Sequence, residues 1–199
     1  MRQIIDGVFA WDWFSERHGY DFHGYLVVTD EEALIVDPVD PDAETLAALV
    51  AAKPTRIVLT NRNHYRAAQR VKESTGARVT AHPDDTAFIV ERGVIVDYAL
   101  HPGDVIGPFT VVGAPGKSPG EVALYWPARR LLLVGDACVG APPGQLRLLP
   151  DAVLDDKPRL IASLRALATL DVDTLLVADG ECILTGAGHA LTELVQRLS

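Results

Sequence analysis

Ile57-Val58-Leu59-Thr60-Asn61-Arg62-Asn63-His64-Tyr65-Arg66 joins an apolar, β-branched run directly to a hexad of polar and charged side chains. An apolar run this short reads as a buried strand, and the abrupt change of polarity reads as a loop leaving the end of a sheet. Loops on such a scaffold are where binding groups collect.

Similar runs at Gly24–Val28, Ala33–Val36, Arg56–Leu59, Arg78–Ala81, Phe109–Val112, Glu121–Trp126, Leu131–Val134 and Thr174–Val177 each predict a strand. Helices are expected between them over Ala43–Ala52, Tyr65–Thr75, Asp84–Arg92, Arg159–Leu170 and Leu191–Leu198. Asp40-Pro41 and Pro158 supply start signals, and Gly76 and Gly93 supply stops.

The order of these elements repeats. A strand from Tyr25, a turn over Thr29–Glu32, a strand ending in Asp37, a helix and a strand ending in Asn61 make the first half. A strand from Val122, a turn over Pro127–Arg130, a strand ending in Asp136, a helix and a strand ending in Asp179 make the second. Two sheets with helices on one side each can bury their bare faces by stacking, which predicts an α/β four-layer αββα sandwich. The strand-end loops are then expected to share one edge, gathering Asn61, Arg62, Asn63, His64, Tyr65, Arg66, Lys117, Ser118, Asp136 and Asp179 into a pocket.

Bulk properties narrow the classes. The chain has 199 residues, 48% of them hydrophobic, enough for one sizeable core, and no Gly/Ser linker divides it, so a single domain over 1–199 is expected. A net charge of -9 argues against a nucleic-acid or anionic-membrane partner, because neutralising phosphates takes a basic face. There is no apolar stretch of about 18 residues or more, and Met1-Arg2-Gln3-Ile4-Ile5-Asp6 does not read as a signal peptide. A cytoplasmic location is the expectation, with a small molecule as the partner and the oligomeric state open. The 2 cysteines, Cys138 and Cys182, are too few for a disulfide scaffold. They read as small buried hydrophobes, with a redox pair or thiolate metal site as the alternative.

The hexad, together with Pro115-Gly116-Lys117-Ser118-Pro119-Gly120-Glu121, Leu133-Val134-Gly135-Asp136, Leu176-Val177-Ala178-Asp179-Gly180 and the upstream Leu34-Ile35-Val36-Asp37-Pro38, resembles the metallo-β-lactamase superfamily over nearly the whole chain. The resemblance implies the αββα fold and, in active members, a two-metal hydrolase. Their hexad reads His-x-His-x-Asp-His and is completed by a His before Ser-Pro-Gly, a bridging Asp and a terminal His. By that register Asn61 and Asn63 stand at the first two His positions, Tyr65 at the Asp, Arg66 at the third His, Lys117 at the next His and Asp179 at the last. Asp136 alone matches.

The replacements decide the chemistry. A guanidinium offers no lone pair, an ammonium offers none until it loses its proton, and an Asn carbonyl is a weak neutral ligand better suited to calcium. Asp136 and Asp179 are too few anions for a calcium cage. No cofactor is therefore expected, and zinc or another divalent metal is the alternative that the resemblance implies. Removing two cations would strand the Asp136 carboxylate, so an ion-paired pocket of Asp136 and Asp179 against Arg66 and Lys117 is predicted.

Three functions stay open. One is a repurposed or pseudoenzyme-like member binding a small, anionic ligand in a cationic pocket. Another is a metal-dependent hydrolase with a mononuclear site from Asp136, Asp179 and His64, with Asn63. The third is a structural or regulatory protein with a relic pocket. No catalytic residue is assigned. His64 falls at a position the family leaves open and is expected to turn from the pocket or cap the following helix; Tyr65 reads equally as packing residue or general acid. Phe9 and Trp11 read as core, whereas Trp13 to Tyr20 reads as core or as a loop lining the pocket. His18, His23, His82, His101 and His189 lack paired ligand spacing.

Overall fold

Seven strands pair in chain order to make the sheet of a first unit, Met1–Leu100. They are β1 (Arg2–Ile5), β2 (Val8–Ser15), β3 (Tyr20–Val28), β4 (Ala33–Val36), β5 (Arg56–Leu59), β6 (Arg78–Ala81) and β7 (Tyr98–Ala99). The computed structural model describes residues 1–198. Short turns keep β1 to β4 antiparallel. Helical crossovers make β4 to β7 parallel, because a parallel neighbour needs a long return.

The crossovers are α1 (Ala43–Ala51) and α2 (Ala68–Thr75), with α3 (Pro83–Val90) following β6. Asp42 caps α1 by accepting the Thr45 N–H at 2.7 Å. Leu49, Val71 and Ile89 from the three helices pack with Ile35, Ile57 and Val79 of the sheet in one buried cluster.

The second unit begins at His101. Its sheet runs β12-β11-β10-β9-β8, built from β8 (Val105–Ile106), β9 (Phe109–Gly113), β10 (Val122–Trp126), β11 (Leu131–Leu133) and β12 (Thr174–Leu176). Its helices are α4 (Lys157–Leu167) and α5 (Ala187–Arg197). Leu160, Leu164, Leu167, Leu191 and Leu194 pack with Leu132 and Leu175.

The internal repeat survives in the pairing. β3 and β4 are antiparallel and β4 and β5 parallel; β10 and β11 are antiparallel and β11 and β12 parallel. Each half thus carries a hairpin, a helical return and a parallel strand.

Three expectations are corrected. α2 begins at Ala68 rather than Tyr65, because Arg62–Tyr65 closes into a 3-10 turn capped by the Asn61 side chain. α5 begins at Ala187, a turn before Leu191, since Gly186 and Gly188 mask its start in the periodicity. The segment read as a loop from Trp13 to Tyr20 is mostly hairpin, with Trp13 opposite Phe22 and Ser15 opposite Tyr20. Among the described residues, no helix is long and apolar enough to cross a membrane.

Candidate functional site

In the first unit the parallel neighbours β4 and β5 end side by side, which brings Asp37 next to Thr60. The Thr60 backbone N–H donates to Asp37 Oδ1 at 2.8 Å and its hydroxyl donates to Oδ2 at 2.6 Å. His64 Nδ1 lies 3.0 Å from both Asp37 Oδ2 and Thr60 Oγ1. All three residues are fully buried. A buried carboxylate is costly unless its lone pairs are met, and these donors meet them.

The rest of the hexad is fastened around this point. Asn61 Oδ1 accepts the Asn63 N–H at 2.8 Å, and the Arg62 N–H donates to Asp85 Oδ2, a buried carboxylate on α3, at 2.8 Å. The helix-capping role expected for His64 is excluded, since the N-cap of α2 is Ala67 with no side-chain cap. Tyr65 packs edge-on against Phe88 at 6.4 Å, and the Arg62 guanidinium lies 5.1 Å above the same ring. Arg66 stacks over Phe22 of the hairpin at 4.4 Å.

In the second unit Lys117 Nζ lies 2.9 Å from Asp136 Oδ2, with only 7% and 5% of the two side chains exposed. The Asp136 backbone N–H donates to Glu121 Oε1 at 3.0 Å, and Glu121 is itself buried. Ser118 and Asp179 are buried in the same unit.

Two glycines let these loops close. A Cβ on Gly116, whose φ is +144°, would fall 2.4 Å from the Leu160 backbone on α4. One on Gly140 would fall 1.9 Å from the Glu181 carbonyl, where Gly140 N–H donates to Asp179 O at 3.0 Å and Glu181 N–H donates to Gly140 O at 2.7 Å. The loops bearing Lys117 and Asp179 are thereby held by backbone contacts that no side chain could share.

Lys117 and Asp136 are therefore together within one unit, as the sequence predicts, and Asn61 to Arg66 form one fastened loop in the other. Four shaping residues escaped the sequence reading: Asp37, Thr60, Asp85 and Glu121. Asp37 and Thr60 left a signal, each standing at the polar end of an apolar strand; Asp85 and Glu121 left none outside tertiary pairing.

The donor set does not suit the metal pair that the resemblance implies. Arg66 and Lys117 carry no available lone pair, and Lys117 sits against the carboxylate that would bridge two cations. His64 Nδ1 is held by Asp37 and Thr60. Among the described residues no group of three or more His, Cys, Asp or Glu is arranged to hold a metal ion. Burial, and then the Glu121 carboxylate, pushes the Cys138 thiol up to about 12, so it keeps its proton at neutral pH and makes a poor thiolate ligand or redox nucleophile.

The family model described as the metallo-beta-lactamase superfamily matches residues 4–198. The chain is similar to a hydroxyacylglutathione hydrolase of Anaeromyxobacter dehalogenans (strain 2CP-C), with 35% identity over 136 residues, 66% of this chain and 51% of that one. A protein of the same name from Cereibacter sphaeroides (strain ATCC 17025 / ATH 2.4.3) is 29% identical over 184 residues, 86% of this chain and 67% of that one. The chain thus spans 51% of the length of the first of these relatives. Among solved structures, TTHA1623 in a di-iron-bound form shares 26% identity at a TM-score of 0.68, covering 86% of this chain and 93% of that one. The DIM-1 metallo-beta-lactamase matches 100% of this chain and 96% of its own at a TM-score of 0.79 and 16% identity, a likeness of fold.

Proposed function

We propose, starting from the fact that this chain belongs to the metallo-β-lactamase superfamily, that it is a repurposed member which binds a small anionic ligand and whose polar site is held by its own cations instead of a metal pair. The observation that carries this reading is the Lys117 ammonium 2.9 Å from the Asp136 carboxylate, both buried. A buried carboxylate whose metals are gone requires a counter-charge. An ammonium in that place also repels an incoming dication.

In this reading the anion is recognised by the guanidiniums of Arg62 and Arg66, whose planar forks suit carboxylate or phosphate. The hydrolase name of the relatives and the di-iron of a structural neighbour belong to proteins in the same family. Metal-assisted hydrolysis depends on lowering the pKa of bound water from about 15.7 to about 7. Ligand binding without metal-assisted turnover is therefore the function proposed. The family match from residue 4 to 198 supports one domain over 1–199, the net charge of -9 supports a protein without a nucleic-acid or anionic-membrane partner, and a cytoplasmic location is part of the same proposal.

Elemental analysis after incubation with zinc, manganese and iron, followed by gel filtration, tests the metal half. Metal well below one equivalent is expected. Stoichiometric metal that disappears in Asp136→Ala would overturn the proposal in favour of a mononuclear hydrolase. Calorimetric titration with inorganic phosphate and with acetate tests the anion half; binding that weakens in Arg66→Gln is expected, and heat unchanged by that substitution counts against it.

A further inference from the structure

The sheet of the first unit has two edges, β1 and β7. β1 is defended, since Arg2 stands exposed on it and its register against β2 shifts between Gln3 and Ile5. A charge and an irregular register are what keep an edge strand from pairing with another chain. β7 has neither. Tyr98 and Ala99 are both exposed and uncharged, and the acid before them, Asp97, is turned inward to the Val79 N–H and the Lys72 ammonium.

The Asp97 N–H donates to Val79 O at 2.8 Å, so the backbone of Asp97 faces β6. Successive residues of a strand turn their backbone groups to opposite sides, which sets the Tyr98 N–H and C=O on the outer edge. The Arg56 guanidinium lies 4.7 Å from the Tyr98 ring, and the residue remains 49% exposed.

The two ends of β7 differ in chemistry. Before its start stands Ile95, 60% exposed, whose carbonyl accepts from the Lys72 ammonium at 3.2 Å. Arg78 is exposed at the same end, two residues before Thr80, the partner of Tyr98 on β6. Arg56, Lys72 and Arg78 thus gather around one acid, Asp97, and leave that end basic. At the finish of β7 the chain of β6 has passed into α3, whose first turn carries Pro83 and the exposed Asp84. Between that turn and β7 lies a cavity of about 280 Å³, walled by Pro83 and Thr86 on one side and by Val96 to Ala99 on the other. One end therefore offers an apolar side chain and cations, and the other an apolar hollow and an anion.

These ends match each other only when the strand is reversed. An antiparallel copy of β7, set about a two-fold axis at Tyr98, exchanges both backbone bonds between the two Tyr98 residues. It brings Ile95 of one copy level with the position three beyond Tyr98 in the other, past Ala99, where the α3 wall of the cavity stands. The basic start of one copy then adjoins Asp84 of the other. A parallel addition would lay basic start against basic start.

We infer that the outer edge of β7 is the contact by which two copies of this chain pair, through an antiparallel Tyr98 junction with the Ile95 of each copy seated in the cavity of the other. A strand of two residues and one apolar side chain from each copy make a small contact, and interfaces under about 1,200 Å² are weak and transient. The dimer is accordingly concentration-dependent.

The test is sedimentation velocity of the full chain from micromolar to submillimolar concentration, with hydrogen exchange at the Tyr98 amide as the local readout. The weight-average mass should rise from one chain toward two. Exchange at Tyr98 should slow by about threefold or more over that range, while Gln3 on the other edge does not change. Ile95→Lys and Tyr98→Lys should each weaken association by about tenfold or more, and Gln3→Lys should leave it unchanged. Asp84→Lys, which sets cation against cation, and added salt should weaken it too. Each variant is checked for folding by circular dichroism, and the exposed position of Ile95 keeps the test decisive should Tyr98→Lys not fold. One chain at every concentration overturns the proposal and leaves the edge to another partner. A dimer that both Lys variants leave intact, or one without protection at Tyr98, overturns it as well. A dimer lost in both Lys variants yet indifferent to Asp84→Lys and to salt overturns the antiparallel register.

Discussion

Replacing Lys117 by Met removes the ammonium that lies 2.9 Å from the Asp136 carboxylate, which is only 5% exposed. Breaking a buried pair by removing one member costs about 3–5 kcal/mol, because the remaining charge stays desolvated. In a chain of this size about 1 kcal/mol moves the melting temperature by about 2–4 °C, so Lys117→Met should lower it by about 6–20 °C. Replacing both partners, in Lys117→Met with Asp136→Asn, removes the stranded charge and keeps the Asp136 backbone N–H that donates to Glu121. The double variant should recover most of the loss, giving a coupling of about 2 kcal/mol or more in a double-mutant cycle. Urea unfolding checks this, followed by the fluorescence of Trp126 on β10 in a background with Trp11 and Trp13 replaced by Phe, so that the second unit reports alone. A single-variant cost under about 1 kcal/mol, as for an exposed pair, or simple additivity of the two substitutions refutes the claim that Lys117 does the electrostatic work of a metal here.

Asp37→Ala removes the acceptor of two Thr60 donors and the partner of His64 in a fully buried place. Thermal unfolding should fall by about 2 kcal/mol or more, and a change within about 0.5 kcal/mol would sink the view that this carboxylate ties β4 to β5. Gly140→Ala forces a Cβ to 1.9 Å from the Glu181 carbonyl, so the purified variant should show reduced stability of the second unit by Trp126 fluorescence; wild-type stability would mean that the loops part easily. Burial pushes the Asp97 carboxyl up, yet the Lys72 ammonium, the Val79 N–H and Arg78 together hold it below the usual carboxylate value. A lowered folded pKa contributes stability that is present above the unfolded value of about 3.9 and is lost as pH falls through the folded one. Asp97→Asn should therefore flatten the acid side of the stability profile below about pH 4, and an unchanged slope in acid-titrated circular dichroism would contradict the assignment.

What could be read from the sequence depended on how far apart the deciding residues lie along the chain. Apolar runs such as Ile35 and Ile57 declare their strands locally, and the repeat of strand, turn, strand, helix and strand was visible because it is a matter of order. The offsets that set Arg66 and Lys117 at ligand positions of the family pattern could be counted for the same reason, since they fall in short motifs. The grip of Asp37 on Thr60 and His64 was not, since it exists only after β4 and β5 pair in parallel across a helical return. Periodicity could not mark the start of α2 either, because Asn61 closes a 3-10 turn over residues that also suit a helix. Glu121 gave no sign of burial; its role follows from accepting the N–H of Asp136, which belongs to the loop after β11.

Asp37 directly follows β4 and Asp136 lies in the loop after β11, the corresponding strands of the two repeat halves, and both are buried. One architecture thus places a desolvated carboxylate at the same point twice, and each half resolves the cost with what its sequence supplies. In the first unit two Thr60 donors and an imidazole suffice, so the charge is absorbed by hydrogen bonds and nothing further is required of that place. In the second unit the backbone N–H of Asp136 is turned to Glu121, another buried acid, and a full cation answers the Asp136 carboxylate. That cation, Lys117, comes from within the chain, on the loop Pro115-Gly116-Lys117-Ser118.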